Sequence, residues 1–211
     1  MIKRLRVTVL ADNCVAARDL LAEHGLSMLI EADGRRILFD TGQGKVLRAN
    51  ADALGISLSP LDAVVLSHGH DDHTGGLAGL LREVSPSAIF LHPAAVQPKY
   101  AKSENPPHRS IGMPESSRQA LDAVQDRIVW TRSATEVVPG VWCTGEIPRL
   151  PVNGQTATGF FLDADGRASV LEVNPNPDIS LTSGAVRQAS AIGLTYPQFV
   201  DRIMQLAFDR E

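Results

Sequence analysis

The chain has 211 residues, a formal net charge of −4 from 20 basic and 24 acidic side chains, and 44% hydrophobic residues. This composition is typical of a globular protein with one or two domains, and it lacks the basic excess of nucleic-acid-binding proteins. No segment approaches the roughly 20 apolar residues that span a membrane. Cys14 and Cys143 provide no disulfide framework and no secretory signal is recognisable, so we expect a cytoplasmic protein.

The predicted elements alternate between strands and helices along most of the chain. A run at 5–10 predicts a strand with Leu5, Val7 and Val9 on one face, and the spacing at 15–23 predicts a helix. Strands at 27–31 and 36–40 flank an Asp-Gly turn signal and predict a hairpin. The later predicted elements are helices at 45–54, 77–84 and 116–124 and strands at 61–66, 88–91, 127–131 and 141–144.

Two further regions have a distinct pattern. Residues 98–114 are rich in proline and polar side chains and predict a loop near the site, where Lys99, Lys102 and Arg109 could meet an anionic substrate. A purely solvated loop is the alternative. The tail predicts a hairpin of 159–162 with 168–173, followed by helices at 183–191 and 196–210.

The segment Ser67-His68-Gly69-His70-Asp71-Asp72-His73, here called the histidine loop, holds three of the six histidines directly after a predicted buried strand. His68 and His70 lie two residues apart, so in an extended chain both rings leave the same side. Asp72 and His73 follow and could serve a second ion. Imidazole and carboxylate donors at this spacing suit one or two divalent ions, zinc first and manganese or iron as alternatives. A histidine-rich polar turn is the competing interpretation.

This motif, together with Leu38-Phe39-Asp40-Thr41-Gly42, resembles the metallo-β-lactamase superfamily. The runs Glu23-His24-Gly25-Leu26-Ser27, Leu91-His92-Pro93 and Thr144-Gly145-Glu146-Ile147-Pro148-Arg149 resemble its methanopterin-related, ribofuranosylaminobenzene phosphate synthase-like metal-dependent hydrolases, over residues of about 6–149.

The resemblance implies His68, His70, Asp72 and His73 as metal ligands and Asp40 as the support of a ligand histidine. It further implies a hydrolase that uses metal-activated water on a small ester, amide or phosphoester, with Asp72 catalytic. The substrate, which could be anionic, would contact Arg149 and His24. A surface salt bridge is an equal alternative for Arg149.

The resemblance to this superfamily covers only one of the two similar halves of its members. The second half normally returns a Gly-Cys-x-His-type segment and a last histidine, but no histidine follows His108 in this sequence. His92 is a spare imidazole that could face the site or serve only the local backbone. A metal-binding protein with impaired catalysis is therefore the alternative function.

Residues 160–177 resemble a different family, the end of an ATP-grasp D-alanine–D-alanine ligase, in which a Glu-x-Asn pair holds magnesium and ATP. Glu172 and Asn174 match that pair, although a polar strand end that leads into a turn is the favoured explanation; a ligase fragment that binds ATP and magnesium is the lesser alternative function. We expect a chimeric chain: residues 1–150 as the metal-binding region, 151–158 as a junction and 159–211 as the ligase-like segment.

The expected fold is an α/β half-sandwich of the metallo-β-lactamase type, a layered sheet with helices, completed by the C-terminal hairpin and helices. An apolar face that the tail left open would favour a homodimer.

Overall fold

The computed structural model describes residues 2–101, 108–146, 190, 193–198, 200 and 201. Its strands are β1 (Leu5–Ala11), β2 (Ser27–Ala32), β3 (Arg35–Phe39), β4 (Ala63–Val65), β5 (Ala88–Leu91), β6 (Tyr100–Ala101), β7 (Arg109–Ser110), β8 (Ile128–Trp130), β9 (Thr135–Val138) and β10 (Val141–Cys143). Its helices are α1 (Leu47–Ala53), α2 (Asp71–Thr74), α3 (Leu77–Glu83) and α4 (Glu115–Asp122), with 3₁₀ turns at Pro93–Val96 and Gln125–Arg127.

The centre of the fold is a six-stranded mixed sheet in the order β1-β2-β3-β4-β5-β8. The first three strands run antiparallel, and β3, β4, β5 and β8 run parallel to one another. Parallel neighbours need a crossover, and helices α1, α3 and α4 lie within these three connections. The carboxyl ends of β3, β4 and β5 therefore meet at one edge of the sheet, where open α/β sheets bind ligands.

The β2–β3 hairpin and the end of α1 show how local sequence produces the elements. Asp33 and Gly34 occupy the hairpin turn with φ angles of 49° and 85°, which asparagine, aspartate and glycine tolerate best. Gly55 follows α1 with a φ of 65°, the left-handed conformation that commonly ends a helix. The sequence predicted both features.

The sheet has two faces with different coverings. Leu38, Val64 and Leu91 belong to the larger core cluster, which contains residues of α1, α3 and α4. On the opposite face, Val65 and Phe90 pack with Val138 of the β9–β10 hairpin. The outer strand β1 carries its predicted apolar face, but Leu5, Val7 and Val9 are all exposed in the structure.

Most of the predicted elements in the described residues are confirmed, and the mixed α/β fold is the expected one. The helix predicted at 15–23 is wrong: the segment is irregular, and its Val15 and Leu21 remain exposed. The buried Asn50 side chain explains this, because it accepts from the Leu21 amide and donates to the Leu21 carbonyl at 2.8 Å each. These bonds satisfy the backbone N–H and C=O groups of Leu21 without a helix.

The predicted loop at 98–114 is partly structured, because β6 pairs with β7. The prediction missed strand β9, which pairs with the expected β10. The predicted hairpin at 159–162 and 168–173 lies outside the described residues. Of the helix predicted at 183–191, only residue 190 is described, and it is helical.

Contacts divide the chain into two units, residues 1–171 and 172–211. In the second unit, residues 196–198, 200 and 201 are helical, in the region where a last helix was predicted. Thr195 precedes this helix and donates from its backbone amide and its hydroxyl to Gln198 Oε1, at 2.9 Å each. The boundaries predicted at 151–158 stay predictions. Within the described residues, no helix has the length and apolar character that a membrane crossing requires.

Candidate metal centre

The histidine loop begins where β4 ends, beside the end of β3. The register pairs Phe39 with Val65, and the Asp40 amide donates to the Val65 carbonyl at 2.9 Å. Asp40 therefore stands opposite the first residues of the loop, although 27 positions separate it from Ser67. The sheet register alone brings these two motifs of the sequence together.

Helix α2 carries Asp72 and His73 and is held by backbone contacts from three segments. The Asp71 amide donates to the Ile111 carbonyl at 3.0 Å, and the Thr41 amide donates to the His73 carbonyl at 2.8 Å. Gly25 lies so close that a Cβ atom there would stand 2.0 Å from the Asp72 carbonyl oxygen. A four-residue helix has little stability of its own, so this packing sets its position.

The ring nitrogens of the loop converge on one small volume. His68 Nε2 lies 3.0 Å from His70 Nδ1, and His73 Nε2 lies 3.6 Å from a carboxylate oxygen of Asp72. His68, Asp72 and His73 each offer a ligand atom within 4.8 Å of the others. Two imidazole nitrogens and a carboxylate oxygen form a donor set that zinc accepts, so the residues fit a divalent ion.

Asp40 is completely buried and forms hydrogen bonds with Ser67 and His73 of the histidine loop. One oxygen accepts from the Ser67 amide at 2.8 Å, and the other accepts from the Ser67 hydroxyl at 2.6 Å and from His73 Nδ1 at 2.8 Å. Its φ of 56° is unusual for a residue with a side chain. The resemblance implied that Asp40 supports a histidine ligand, and in the structure its carboxylate contacts His73.

Burial keeps His68 and His70 neutral. It lowers the pKa of His68 from 6.5 to about 2, with smaller contributions from the charges of His73, His70 and Lys99. Burial also lowers the pKa of His70 to about 4. A neutral imidazole keeps one nitrogen lone pair, which is the form that binds metal, so both rings are in the ligand state at neutral pH.

Gly69 lets the loop rest on the 3₁₀ turn at Pro93–Val96. A Cβ atom on Gly69 would stand 1.8 Å from the Ala95 carbonyl oxygen. The buried Lys99 binds the same turn, because its ammonium donates to Ala94 O at 2.7 Å, Gln97 O at 3.1 Å and Ala95 O at 3.4 Å. Burial lowers the pKa of Lys99 to about 8. Lys99 therefore stabilises the 3₁₀ turn that packs against the loop, whereas the sequence suggested a solvated side chain or a substrate contact.

The remaining predicted site residues fall into three positions. His24 lies at the rim, with a side chain that is 72% exposed and Nε2 at 3.3 Å from an Asp72 carboxylate oxygen. His92 follows β5, and its Nδ1 accepts from the Ala94 amide at 3.1 Å. The ring proton therefore resides on Nε2, so Nε2 has no lone pair to offer to a metal. Arg149, Glu172 and Asn174 lie outside the described residues.

Sequence reasoning gave no role to Ser67 or Glu23 and did not predict the buried position of Lys99. Glu23 is buried, and its carboxylate accepts from the amides of Gly44 and Lys45 at 3.2 and 3.0 Å, which shapes the turn after Asp40. The available signal for Ser67 and Glu23 was their place inside the quoted motifs. For Lys99 the sequence offered only a charge in a polar segment, which predicts exposure.

Comparison with known proteins adds independent evidence to this geometry. The profile of the metallo-beta-lactamase superfamily matches residues 21–152. The chain is 33% identical over 172 residues, 77% of its length, to a 7,8-dihydropterin-6-methyl-4-(beta-D-ribofuranosyl)-aminobenzene-5'-phosphate synthase of Methanocaldococcus jannaschii. It covers 58% of that relative, so it spans little more than half of the relative's length.

Two other similarities concern the fold and the tail. A crystal structure of a metal-dependent hydrolase of the beta-lactamase superfamily superimposes with a TM-score of 0.57 at 29% identity, over 80% of this chain and 58% of that one. A segment of 58 residues, 28% of the chain, is 41% identical to a D-alanine–D-alanine ligase of Lawsonia intracellularis and covers 19% of it. The profile match extends over more than half of the sequence and contains the whole histidine loop. The chain belongs to the metallo-beta-lactamase superfamily.

Proposed function

We propose that this chain is a metal-dependent hydrolase that binds zinc through His68, His70, Asp72 and His73. The single observation that carries the proposal is the convergence of imidazole and carboxylate donors at the carboxyl ends of parallel strands: His68, Asp72 and His73 form one compact group, and His70 Nδ1 lies 3.0 Å from His68 Nε2. Nitrogen and oxygen donors favour zinc, with manganese or iron as the next choices. The similar solved hydrolase supports the same reaction class.

The substrate is a small ester, amide or phosphoester, which water cleaves. A divalent ion at the site would lower the pKa of a bound water to about 7 and polarise the substrate's carbonyl or phosphoryl oxygen. The Asp72 carboxylate is 14% exposed, so it can accept a hydrogen bond from the attacking water and orient it. Water oxygen then bonds to carbon or phosphorus, and the leaving group departs with a proton.

We propose that the substrate carries negative charge. The archaeal relative is named as a synthase of a 5'-phosphate, which supports an anionic substrate. His24 at the rim and Arg149 are the side chains proposed to contact this charge, with Arg149 able to bind a phosphate or carboxylate through two parallel bonds. The same name supports a second candidate, a synthase reaction in place of hydrolysis.

A third candidate is a protein that binds metal without turnover. Within the described part of the chain, His68, Asp72 and His73 are the one compact group of three such ligands. A site that lacks ligands would retain metal less firmly and hold the reacting groups in looser geometry.

We also propose that the exposed face of Leu5, Val7 and Val9 on β1 favours a homodimer, which light scattering on the purified chain tests.

The test combines metal content with turnover. The purified chain, dialysed without chelator, is analysed by plasma mass spectrometry, and its hydrolysis of p-nitrophenyl acetate, nitrocefin and bis(p-nitrophenyl) phosphate is measured. We expect at least one equivalent of zinc and hydrolysis of at least one of these compounds. His70→Ala is expected to abolish the activity, and His108→Ala, which changes an exposed histidine outside the histidine loop, is expected to preserve it.

The outcomes separate the candidates. Zinc without hydrolysis would favour the binding protein or the synthase, and a chain without bound metal would overturn all three. Activity that survives both His70→Ala and chelation would show that the hydrolysis belongs to a contaminant or to another site.

A further inference from the structure

Ser67 stands between the buried Asp40 carboxylate and the first histidine of the loop. Its backbone amide donates to one Asp40 oxygen at 2.8 Å, and its hydroxyl lies 2.6 Å from the other. The same hydroxyl oxygen lies 2.9 Å from His68 Nδ1. Ser67 itself is exposed on its outer side, whereas Asp40 and His68 are buried.

The direction of these bonds follows from the chemistry of the three groups. An ionised carboxylate only accepts hydrogen bonds, so the single hydroxyl proton of Ser67 is directed to Asp40. The serine oxygen can then only accept from His68, which means that His68 Nδ1 carries the ring proton. With the one proton of a neutral imidazole on Nδ1, the lone pair of the ring lies on Nε2. That lone pair faces His70 Nδ1 at 3.0 Å.

His73 reaches the same carboxylate oxygen without an intermediate. Its Nδ1 lies 2.8 Å from Asp40 Oδ2, so this nitrogen also carries a proton, which it donates to the carboxylate. His73 Nε2 is the nitrogen that lies toward Asp72. One buried carboxylate thus holds a proton on Nδ1 of two histidines, directly for His73 and through a hydroxyl for His68.

We propose that Ser67 is a positioning residue for the metal centre, whose hydroxyl transmits the orienting effect of Asp40 to His68 and presents His68 Nε2 as a ligand. The consequence for metal affinity rests on the proposed function; the tautomer does not. A hydroxyl is required because the group must donate to the carboxylate and accept from the imidazole at the same time. Alanine does neither, and threonine does both.

The first test reads the tautomer in the metal-free protein. Long-range ¹H–¹⁵N spectra of chelator-treated chain distinguish the protonated ring nitrogen of each histidine. We expect Nδ1 protonation for His68 and His73 in the wild type. Protonation of His68 on Nε2 in the wild type would overturn the proposal, whatever any variant does.

The second test compares three variants by competition for zinc against a chelating dye. Ser67→Ala is expected to weaken zinc binding about tenfold or more, the lower range for loss of a group that orients a ligand, and to remove the His68 preference for Nδ1. Ser67→Thr is expected to restore both to within about threefold of the wild type. The control is Ser57→Ala, an exposed serine whose hydroxyl also donates and accepts, to Ser59 O at 2.6 Å and from Ser59 N at 3.1 Å, away from the site.

These readouts separate the inference from the proposed function. A wild type without affinity for zinc would refute the hydrolase, yet the spectra would still decide whether Ser67 sets the tautomer. Ser67→Ala that binds zinc like the wild type, with His68 still protonated on Nδ1, would overturn the role of Ser67. A loss that threonine does not repair would identify a steric effect in place of the hydroxyl and would equally overturn it.

Discussion

Replacement of Asp40 by asparagine tests whether this carboxylate organises the metal centre. Asparagine has nearly the same size and tolerates the positive φ of 56° at this position. Its amide oxygen can still accept from the Ser67 amide, but its NH₂ group cannot accept from the Ser67 hydroxyl or from His73 Nδ1. Asp40→Asn therefore removes the one oxygen that accepts both of these hydrogen bonds and places an NH₂ donor opposite two other donors at a completely buried position.

The size of the effect follows from these bonds. Hydrogen bonds to a charged group contribute about 1.5–3 kcal/mol each, so the loss of two lowers the free energy of unfolding of the metal-free chain by about 3–6 kcal/mol. Zinc affinity is expected to fall about 10- to 100-fold, because His73 and His68 lose the group that orients them. Urea unfolding and zinc competition measure the two quantities.

Asp33→Asn is the matched control. Asp33 also has a positive φ, 49°, and its carboxylate accepts from the backbone amides of Lys3 and Arg4, but it is exposed and lies in the β2–β3 turn. We expect unchanged zinc affinity and a much smaller loss of stability than for Asp40→Asn, because Asp33 is exposed to solvent. If Asp40→Asn binds zinc within threefold of the wild type and unfolds at the same urea concentration, the orienting role of Asp40 is refuted.

Three further predictions concern the loop. Gly69→Ala places a Cβ atom 1.8 Å from a backbone oxygen of the 3₁₀ turn, so it should destabilise the chain by about 1–3 kcal/mol and weaken zinc binding. The control is Gly79→Ala inside α3, where the nearest atom to the added Cβ is 3.8 Å away, and this variant should stabilise the chain by about 0.5–1 kcal/mol. Thermal unfolding measures both changes in stability. Because the pKa values of His68 and His70 are lowered from 6.5 to about 2 and about 4, the metal-free folded state binds fewer protons than the unfolded state below pH 6.5, and stability that is fully present above pH 6.5 is lost as the pH falls. Two histidines at about 1.4 kcal/mol per pH unit each give about 2–3 kcal/mol per unit near pH 5, and urea midpoints that stay constant from pH 7.5 to 5 would contradict this. Asp72→Asn should lower the bound zinc measured by plasma mass spectrometry, and retention of the wild-type stoichiometry would exclude Asp72 as a ligand.

Several features of the site were readable from the sequence because they depend on neighbours in the chain. The spacing of His68 and His70 and the turn into α2 lie within seven residues. The apolar run before them reads as a buried strand because β4 is covered on both faces. The Asp33-Gly34 turn required its own backbone conformation whatever surrounded it. Such features predicted the strand, the loop and the candidate ligands.

Features that depend on distant contacts were not readable in this way. A predicted helix at 15–23 did not form, because Asn50 supplies hydrogen bonds from a helix 29 positions away. Lys99 looked like a solvated cation, yet three backbone carbonyls bury its ammonium beneath Gly69. Local propensity contains no information about such partners, and tertiary contacts override it.

The sequence by itself determined which residues can bind a metal and placed them on one loop after a strand, since donor chemistry and short-range spacing are local properties. Only the tertiary structure decided how these donors are oriented. The parallel register of β3 and β4 brings Asp40 beside Ser67 and within 2.8 Å of His73, and that contact sets the ring nitrogens which face the ion. Orientation of a ligand depends on hydrogen bonds between segments that lie far apart in the chain, and folding alone brings them together.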